Sequence, residues 1–516
     1  MEKYEIFILA LLVVAILISG YFIFYREKSG FTENTKYPID VSNQFVQELL
    51  EKNNLPTQLF LKKEIGLLEE EEVQISWDVD KLKRKIKEEI PVSIYSWYHE
   101  DTSSSGSSND NAIQSYAQLK YIPRFLQENK KFSMGKNLVL SSRELGTTVY
   151  NVSCPFFTVP YGVASEYGNK SDDMSTLRGV VKSGGIYTIP HLSKYTIEQF
   201  ASEINQISGS GSGSKPFFMY QVYLTGNNEV NISLIERAKA SGASVIIFTI
   251  DVGSNNHGGL QLVENQGAVT FSFPFCEVLF NDPVFNIELY KERKIVGTEN
   301  RDILTVVSEK VGETIESLLA VYNLQGAMDY GKYIQSKGMK RANYSLNDPE
   351  LYNWSVQNIA SICHSTISVS KYINRSFSGG VPLVIKGCMS VEDALLAQKG
   401  GADGVYISSH GGRFLYNSVS PLHMLPLIRE RVKKIDSNFG VWIDGGIRSG
   451  VDIFGAYCKG AEFVGLGRPL IYACVLYGEP GVSSFQKKFM FELEAQASLC
   501  GQNNLGDYNS LKSCLK

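Results

Sequence analysis

The sequence has no surplus of positive charge, because its 50 lysines and arginines are matched by 54 aspartates and glutamates, for a net charge of −4. A protein that binds nucleic acid needs clustered cations against the phosphates, so this balance argues against nucleic acid as the main partner. The eight cysteines include no CxxC pair or other metal-ligand spacing. We therefore expect buried free thiols and no metal centre.

One stretch is apolar throughout and has no charge. It runs for 20 residues from Ile6 to Tyr25 and is followed by Arg26 and Lys28. At 1.5 Å per residue, this length spans a hydrocarbon core of roughly 30 Å. A cleaved signal peptide is the alternative, but its apolar core is shorter and ends in small residues. We predict a single transmembrane helix within a membrane anchor at residues 1–28, and the basic flank favours a cytosolic location for the large domain.

The chain after the anchor divides into a short lead-in and a large domain. Residues 29–90 are mixed in character and include a charged run with a helical pattern at Asp78 to Glu89. We interpret this segment as a stalk and lead-in, and residues 91–516 as one large domain. Tracts rich in serine and glycine, at 102–110 and 208–214, are typical of surface loops.

From about residue 155 the chain repeats one unit, which consists of a short apolar run, a turn and a helical pattern. The apolar runs are FFTV (156–159), IYTI (186–189), FFMYQVY (217–223), VIIFTI (245–250), PLVI (382–385), VYIS (405–408), VWI (441–443) and FVGL (463–466). Eight apolar strands that alternate with helices predict an α/β fold of the (β/α)8 TIM barrel type. The alternative, a doubly wound open sheet, needs a glycine-rich dinucleotide turn after an early strand, and this sequence lacks one.

The spacing of these runs is regular except between Asp251 and Pro382. This gap is far longer than an ordinary connection between a strand and a helix. The run SVQNIASICHSTI (355–367) has a helical pattern and is predicted to be the fourth barrel helix. Residues 253–350 are then a long insertion after strand 4, over the mouth where barrels keep their active sites.

Polar side chains stand where the predicted strands end. In a parallel barrel the C-terminal strand ends build the site, so these residues are the candidates for catalysis and cofactor binding. They are Tyr161, Gln221, Tyr223, Thr249, Asp251, Lys386, His410, Arg413, Asp444, Arg448, Gly467 and Arg468.

His410 and Arg413 lie three residues apart in ISSHGGRFL, just after an apolar strand. A general base beside a fixed cation suits abstraction of a proton next to a carboxylate. Asp251 could orient and stabilise a protonated His410, although it could also cap a helix. Lys386 follows four apolar residues and needs an anion or an electron-rich ring if it is buried; a snorkelling surface lysine is the alternative.

The last two units, DGGIRSG and GLGRP, combine glycines with Arg448 and Arg468. They follow strands 7 and 8, the usual phosphate-binding corner of this fold. Backbone N–H groups and guanidinium forks match a phosphate dianion. The alternative is a pair of tight turns with solvated arginines.

These motifs resemble the FMN-dependent α-hydroxy acid oxidase and dehydrogenase family, which includes glycolate oxidase, lactate oxidase and flavocytochrome L-lactate dehydrogenase. The resemblance extends from about Ile94 to the C-terminus. It is most specific in VIKGCMSVEDALLAQKGGADGVYISSHGGR and VWIDGGIRSGVDIFGAYCKGAEFVGLGRPLIYA. It implies an enzyme that uses FMN to oxidise a 2-hydroxy acid, L-lactate-like or glycolate-like, to the 2-keto acid.

The resemblance also implies a role for each matching residue. His410 would be the base with Asp251 as its partner, Arg413 would hold the substrate carboxylate, and Tyr223 would hydrogen-bond the substrate. Tyr98 would match one of the family's paired substrate-binding tyrosines. The remaining roles concern FMN: its ring would be contacted by Gln221, Thr249 and Lys386, and its ribityl chain and phosphate by Asp444, Gly446, Arg448, Gly467 and Arg468.

The sequence departs from the family in the first half of the barrel. Gly258, next to His257, stands where the family has a second substrate-binding arginine. Trp97 replaces the other paired tyrosine, Tyr161 replaces a small residue after strand 1, and Pro190 replaces a flavin-contacting serine after strand 2. Two hypotheses follow: an active membrane-anchored oxidoreductase, or an impaired flavin-binding or non-catalytic barrel that acts as a tethered interaction protein.

The partners are the substrate, the membrane and the oxidant that accepts electrons from the flavin. The residues between the anchor and the barrel lack a histidine pair suited to heme, which leaves oxygen, a separate cytochrome and a membrane quinone as acceptors. Barrels of the resembled family are often tetramers, so the resemblance implies a homotetramer.

Overall fold

Runs rich in apolar and β-branched residues form ten short strands in the described part of the chain, because side chains of this kind pack well on a pleated surface. The computed structural model describes residues 78–89, 107–126, 131–162, 172–193, 195–208, 216–223, 228–251, 349–365, 379–413, 415 and 417–516. All of them fall within one structural unit. The strands are β1 (Lys136–Ser142), β2 (Gly146–Val152), β3 (Phe156–Thr158), β4 (Thr188–Ile189), β5 (Met219–Val222), β6 (Val245–Thr249), β7 (Leu383–Lys386), β8 (Gly404–Ile407), β9 (Gly440–Ile443) and β10 (Phe463–Leu466).

Strands β3 to β10 form one parallel sheet in the order β3-β10-β9-β8-β7-β6-β5-β4. An isolated parallel bridge between Phe157 and Ile186 links β3 to the residues before β4. The Thr158 amide donates to the Ile186 carbonyl at 2.9 Å. The ring is therefore nearly closed, as a TIM barrel requires. Each of the eight predicted strand runs overlaps one barrel strand, so this part of the prediction is confirmed and the open doubly wound sheet is wrong.

Two helices precede the strands in the described chain, and the others alternate with or follow the barrel strands. They are α1 (Val79–Glu89), α2 (Ser107–Ala117), α3 (Asp173–Lys182), α4 (Ile197–Ser208), α5 (Asn228–Ser241), α6 (Pro349–His364), α7 (Val391–Lys399), α8 (Pro421–Ile435), α9 (Gly450–Cys458), α10 (Arg468–Leu499) and α11 (Tyr508–Lys512). Short polar side chains fix several helix starts: Ser390 accepts a hydrogen bond from the Asp393 amide, and Ser449 and Asp452 form a reciprocal capping box. The predicted fourth barrel helix is confirmed as α6.

Aromatic rings fill the barrel interior. Phe157, Tyr406, Trp442 and Phe463 come from four strands that are neighbours in the ring, and their centroids lie 4.6 to 6.3 Å apart. All four are buried. Tilted and edge-to-face contacts of this kind add stabilisation beyond the area they bury, so they give the barrel a packed floor on which the site rests.

The antiparallel hairpin of β1 and β2 covers the N-terminal end of the barrel. Tyr150 donates its hydroxyl to the carbonyl of Ser244, which precedes β6, and Lys136 donates to the carbonyl of Glu462, which precedes β10. Leu140 is buried against glycines of β8 and β9, where added Cβ atoms would come within 2.4 to 3.1 Å of its Cδ2. The hairpin closes the end opposite the catalytic mouth.

The N-terminal part of the described chain packs on the outside of the barrel. Helix α1, within the charged run predicted to be helical, buries Leu82 and Ile86 and packs against α10. The predicted anchor at residues 1–28 and the insertion at 253–350 lie largely or wholly outside the described residues; only the last residues of the insertion are described, as the start of α6. Among the helices that are described, none combines the length and the apolar character needed to cross a membrane.

Candidate active site

The site lies at the C-terminal ends of the barrel strands. Strand register places Thr249 beside Lys386 and Lys386 beside Tyr406, on three successive strands. A cavity opens above them. Its lining includes residues from both halves of the barrel: Tyr161, Leu192, Gln221, Tyr223, Lys386, His410, Arg413, Asp444, Gly446, Arg448, Gly467 and Arg468. The predicted set is therefore brought together, apart from Thr249 and Asp251 just behind the lining and Tyr98, which lies outside the described residues.

Asp251, Lys386 and His410 form the centre of the site. The Nδ1 atom of His410 lies 2.8 Å from Asp251 Oδ1, and Lys386 Nζ lies 3.2 Å from Asp251 Oδ2. Lys386 Nζ is also 3.5 Å from His410 Nδ1. Because an ionised carboxylate can only accept, Asp251 is the acceptor for both neighbours, and the His410 Nδ1 atom at 2.8 Å from it carries the imidazole proton. The lone pair of the neutral ring is then on Nε2.

Burial and charge act in opposite directions on these groups. Burial lowers the pKa of His410; Asp251 raises it and Lys386 lowers it, and the net result lies below the ordinary value of 6.5. Burial raises the pKa of Asp251, but its interactions with His410 and Lys386, which include hydrogen bonds from both, lower it more. Burial lowers the pKa of Lys386, yet Asp251 and Asp444 raise it above its usual range. At neutral pH the cluster holds a neutral imidazole, a carboxylate and an ammonium group.

The backbone at His410 is strained. His410 has a φ of 54°, and Gly411 and Gly412 follow with φ values of 68° and 78°. The His410 amide is held by the Ser408 hydroxyl at 3.1 Å. A residue with a side chain rarely adopts this left-handed conformation, which costs of order 1–3 kcal/mol and is concentrated at functional sites. The two glycines let the chain turn sharply, so that His410 and Arg413 both reach the cavity.

Gly387 makes room for the carboxylate. It has a φ of 102°, and a Cβ at this position would lie 2.4 Å from Asp251 Cβ and 2.9 Å from its backbone nitrogen. Only glycine combines this backbone conformation with so close an approach. The residue after the site lysine therefore sets how closely Asp251 approaches β7.

One wall of the cavity comes from strands β4 to β6. The Gln221 amide donates to the Thr249 hydroxyl at 2.9 Å, and both side chains are buried. The backbone amide of His191 donates to Gln221 Oε1 at 3.3 Å, and the Tyr223 amide donates to His191 Nδ1 at 3.4 Å. These bonds hold an amide group and a phenol at fixed positions beside Lys386.

The departures from the family fall on or near this wall where the structure describes them. Tyr161 lines the cavity without plugging it, because its hydroxyl donates to Thr176 Oγ1 at 3.3 Å. Pro190 is buried next to His191. Trp97, His257 and Gly258 lie outside the described residues.

Asp444 connects the cavity to the aromatic floor. Its Oδ2 accepts a hydrogen bond from the Tyr406 hydroxyl at 2.6 Å, and burial raises its pKa. Lys386 Nζ lies 5.7 Å from the centre of the Tyr406 ring. Tyr406 thus supports two site residues at once.

Two arginines mark the opposite end of the cavity. Gly467 is the N-cap of α10, which begins at Arg468 and is kinked at Gly478, so the positive end of its first helical segment faces this corner. Arg468 is buried and donates to the Gly411 carbonyl at 2.8 Å, while Arg448 donates to its neighbour's carbonyl at 2.8 Å. The predicted pairing of the two arginines at strands 7 and 8 is observed, and the interpretation of Arg468 as a solvated side chain is wrong.

The sequence did not single out several residues that shape this site. Tyr406 lies in an apolar run. Because side chains alternate along a strand, its position in the run could have shown that it points into the barrel interior beneath the site. Gly387 directly follows the site lysine and could have been recognised as a positive-φ position. Asn109 lies in the tract at 102–110 that was expected to be a surface loop; residues 107–110 instead begin α2 and Asn109 is buried, so the loop expectation is wrong there. His191 carries no motif, and only the fold shows its position.

The donor chemistry of the cavity fits a phosphorylated flavin. Lys386 offers a cation and Gln221, with Thr249 behind it, offers hydrogen-bond partners to a polar ring, while Arg448, Arg468 and the helix N-terminus suit a phosphate dianion. A nearly closed parallel barrel with an acid–base pair between these two ends defines the class of TIM-barrel oxidoreductases that bind a phosphate-bearing cofactor.

Residues 86–278 and 304–513 match the model of the FMN-dependent dehydrogenase family, and the chain belongs to this family. It is 25% identical over 437 residues to an L-lactate oxidase of Lentilactobacillus hilgardii, covering 84% of this chain and 93% of that protein. It is 23% identical to the peroxisomal (S)-2-hydroxyacid oxidase GLO3 of Arabidopsis thaliana, covering 83% and 94% of the two chains. The crystal structure of a mutant of the active chimera of (S)-mandelate dehydrogenase shares the fold, with a TM-score of 0.58, 20% identity, and coverage of 85% of this chain and 99% of that one.

The family and the cofactor that the sequence motifs implied are therefore confirmed, and the protein is an FMN-dependent oxidoreductase. When bound, FMN supplies the electron acceptor, which the side chains of the site cannot provide.

Proposed function

We propose that this protein oxidises an (S)-2-hydroxy acid, of L-lactate or glycolate type, to the 2-keto acid, with His410 as the base. The cluster of Asp251, Lys386 and His410 carries the proposal, because its distances of 2.8 to 3.5 Å place a carboxylate acceptor beside Nδ1 of the imidazole and an ammonium group beside both. The names of the relatives support the same substrate class.

His410 is suited to take a proton from the substrate. Its Nδ1 proton is donated to Asp251, so Nε2 is the basic atom, and the lowered pKa keeps the ring neutral at pH 7. After proton transfer, the carboxylate of Asp251 stabilises the imidazolium. Such an arrangement typically contributes about 10²- to 10⁴-fold to the rate.

Arg413 and Tyr223 are proposed to hold the substrate. Arg413 lies at the end of the His410 turn and lines the cavity, so its guanidinium can pair with a substrate carboxylate beside the base. Tyr223 lines the same cavity from β5. Tyr98 is proposed as a further substrate contact.

The remaining residues are proposed to hold FMN. Gln221, Thr249 and Lys386 would contact the ring, and the ammonium of Lys386 would favour the reduced, more anionic form. Asp444, Gly446 and Arg448 would bind the ribityl chain, and Arg448, Gly467 and Arg468 the phosphate.

Anaerobic titration tests the proposal. Addition of L-lactate, glycolate and longer 2-hydroxy acids to the purified FMN-loaded protein should bleach the visible flavin absorption. His410→Ala should keep its flavin spectrum but lose bleaching, whereas His423→Ala, an exposed histidine of α8, should bleach like the wild type. If FMN is bound and none of these acids bleaches it, the alternative of a non-catalytic flavin-binding barrel is favoured.

We further propose that residues 1–28 anchor the protein in a membrane with the barrel on the cytosolic side. The uncharged run at Ile6 to Tyr25 and its basic flank support this orientation. Deletion of residues 1–28 should move the protein from the membrane fraction to the supernatant, and protease added to sealed vesicles of known sidedness should test the orientation.

The assembly state and the oxidant are open to direct measurement. A homotetramer is proposed, which light scattering of the detergent-solubilised protein would test. The reduced enzyme should be mixed with oxygen, a cytochrome or a quinone, and the fastest reoxidation identifies the acceptor.

A further inference from the structure

Asn109 lies between the two arginines of the phosphate corner. Its Oδ1 accepts a hydrogen bond from Arg468 Nη1 at 2.8 Å and lies 3.4 Å from Arg448 Nη2. Asn109 is buried, with 6% of its surface exposed, and belongs to the first turn of α2, far from both arginines in sequence. An element outside the barrel therefore supplies a contact shared by both guanidinium groups.

A neutral acceptor has a specific advantage at this position. Burial lowers the pKa of Arg448, and the nearby charge of Arg468 lowers it further, so the two cations repel one another. An amide oxygen between them stabilises their close approach by hydrogen bonds and leaves their combined positive charge available. A carboxylate would pair with the guanidinium groups but cancel part of that charge.

We propose that Asn109 is a positioning residue that holds Arg448 and Arg468 in the arrangement that binds the FMN phosphate. This role deepens the proposed function and rests on FMN occupying the cavity.

Helix α2 is well placed to hold Asn109 still. The Ser108 hydroxyl donates to the Leu415 carbonyl at 3.1 Å and accepts from the Ser418 amide at 2.9 Å. The Ala112 carbonyl packs so closely on Gly446 that an added Cβ there would lie 2.4 Å away. Side chains supported in this way are fixed more accurately than side chains on free loops.

The same network reaches the base. Arg468 donates through Nη1 to Asn109 and through Nη2 to the carbonyl of Gly411, the residue after His410. A Cβ on Gly411 would come within 2.8 Å of Arg468 Nη1. Asn109 thus supports, through Arg468, the strained turn that presents His410.

Flavin binding to the full-length protein, freed of FMN and then titrated with either FMN or riboflavin, tests this role. Riboflavin has the same ring and ribityl chain but no phosphate. Asn109→Asp should weaken FMN binding by about tenfold or more, because the new carboxylate opposes the phosphate, and should change riboflavin binding by less than about twofold. Asn109→Ala should weaken FMN binding less, by about three- to tenfold.

Gln114→Glu is the matched control, because it makes the same charge change at an exposed position of α2. It should bind both flavins like the wild type. Thermal unfolding of the FMN-free proteins provides a second readout, in which Asn109→Asp should be at least as stable as the wild type.

Equal losses of FMN and riboflavin affinity in the Asn109 variants would overturn the proposal, as would unchanged FMN affinity in Asn109→Asp. If Asn109→Asp does not fold, the FMN-to-riboflavin ratio of Asn109→Ala decides. Because no hydroxy acid is present, these results do not depend on whether the protein turns over a substrate.

Discussion

At the scale of single residues, three ionisable side chains share one proton-transfer site, and each sets the charge of the others. Asp251 contacts both Lys386 and His410, so its carboxylate stabilises two potential cations. Lys386 limits how readily His410 is protonated. The base therefore stays neutral although it lies beside a carboxylate. Removal of Asp251 should lower the pKa of His410, and removal of Lys386 should raise it.

The pH dependence of kcat/KM should show these opposite shifts. Activity requires neutral His410, so kcat/KM should rise with pH through a pKa below 6.5. Asp251→Asn should move this limb to lower pH and reduce the plateau by about 10²- to 10⁴-fold, because the carboxylate no longer supports the protonated ring. Lys386→Met should move the limb to higher pH. Lys399→Met, on an exposed part of α7, is the control and should leave the limb in place. Shifts of the limb in the same direction for Asp251→Asn and Lys386→Met would contradict the coupling.

Gly387 should be intolerant of even one added methyl group. In Gly387→Ala, the positive φ and the overlap with Asp251 should cost about 2 kcal/mol or more and displace the carboxylate from His410. The free energy of unfolding, measured with denaturant, and kcat/KM should both fall. Gly184→Ala is the control, since Gly184 has a φ of 79° but nothing within 4 Å of its added Cβ; it should lose a similar amount of backbone energy and keep its activity. Equal activity of the two variants would show that Asp251 is not held by Gly387.

Residue types and spacing were enough to predict most of the described site. His410, Arg413, Lys386 and the two arginines follow apolar strands, and the barrel carries strand ends to one mouth. The shared acceptor Asn109 could not be predicted, because its contacts depend on how α2 packs against Gly446, which no local pattern encodes.

At the scale of secondary structure, the barrel strands were predictable because each is a continuous apolar run buried on both sides. The hairpin of β1 and β2 was missed although its alternating leucines, Leu138 and Leu140, are a usable signal. Buried cysteines were also predictable from spacing, and the seven that the structure describes are all free and buried.

The hairpin should contribute stability without contributing to chemistry. Leu140→Ala would leave a cavity beneath β8 and β9 and should lower the free energy of unfolding by about 2–5 kcal/mol. The FMN affinity and kcat/KM of the folded variant should remain within about twofold of the wild type, because the site lies at the opposite end of the barrel. Val149 in the same hairpin is 55% exposed, so Val149→Ala should change the free energy of unfolding little. A loss of FMN affinity in Leu140→Ala would show that the two barrel ends are coupled.

At the scale of the whole molecule, the barrel separates stability from chemistry along its axis. The hairpin and aromatic layer close one end, while the base, the cations and the start of α10 occupy the other. The buried Arg468 and the half-buried Arg448 at the open end repel each other and lose hydration, which makes this end costly without an anion. A bound phosphate would relieve that repulsion.

FMN should therefore stabilise the folded protein as a whole. At a free concentration of 100 times its Kd, it should add about 2.7 kcal/mol to the free energy of unfolding. His410→Ala should gain the same increment, because the base contributes to turnover and not to phosphate binding, whereas Arg468→Met should gain much less. In the wild type, riboflavin at the same concentration should raise the unfolding midpoint less than FMN does. In Arg468→Met, the two flavins should raise the midpoint by the same amount. Equal stabilisation by FMN and riboflavin in the wild type would mean that the guanidinium pair does not bind the phosphate. Arg448 and Arg468 would then need another anion to offset their mutual repulsion and lost hydration.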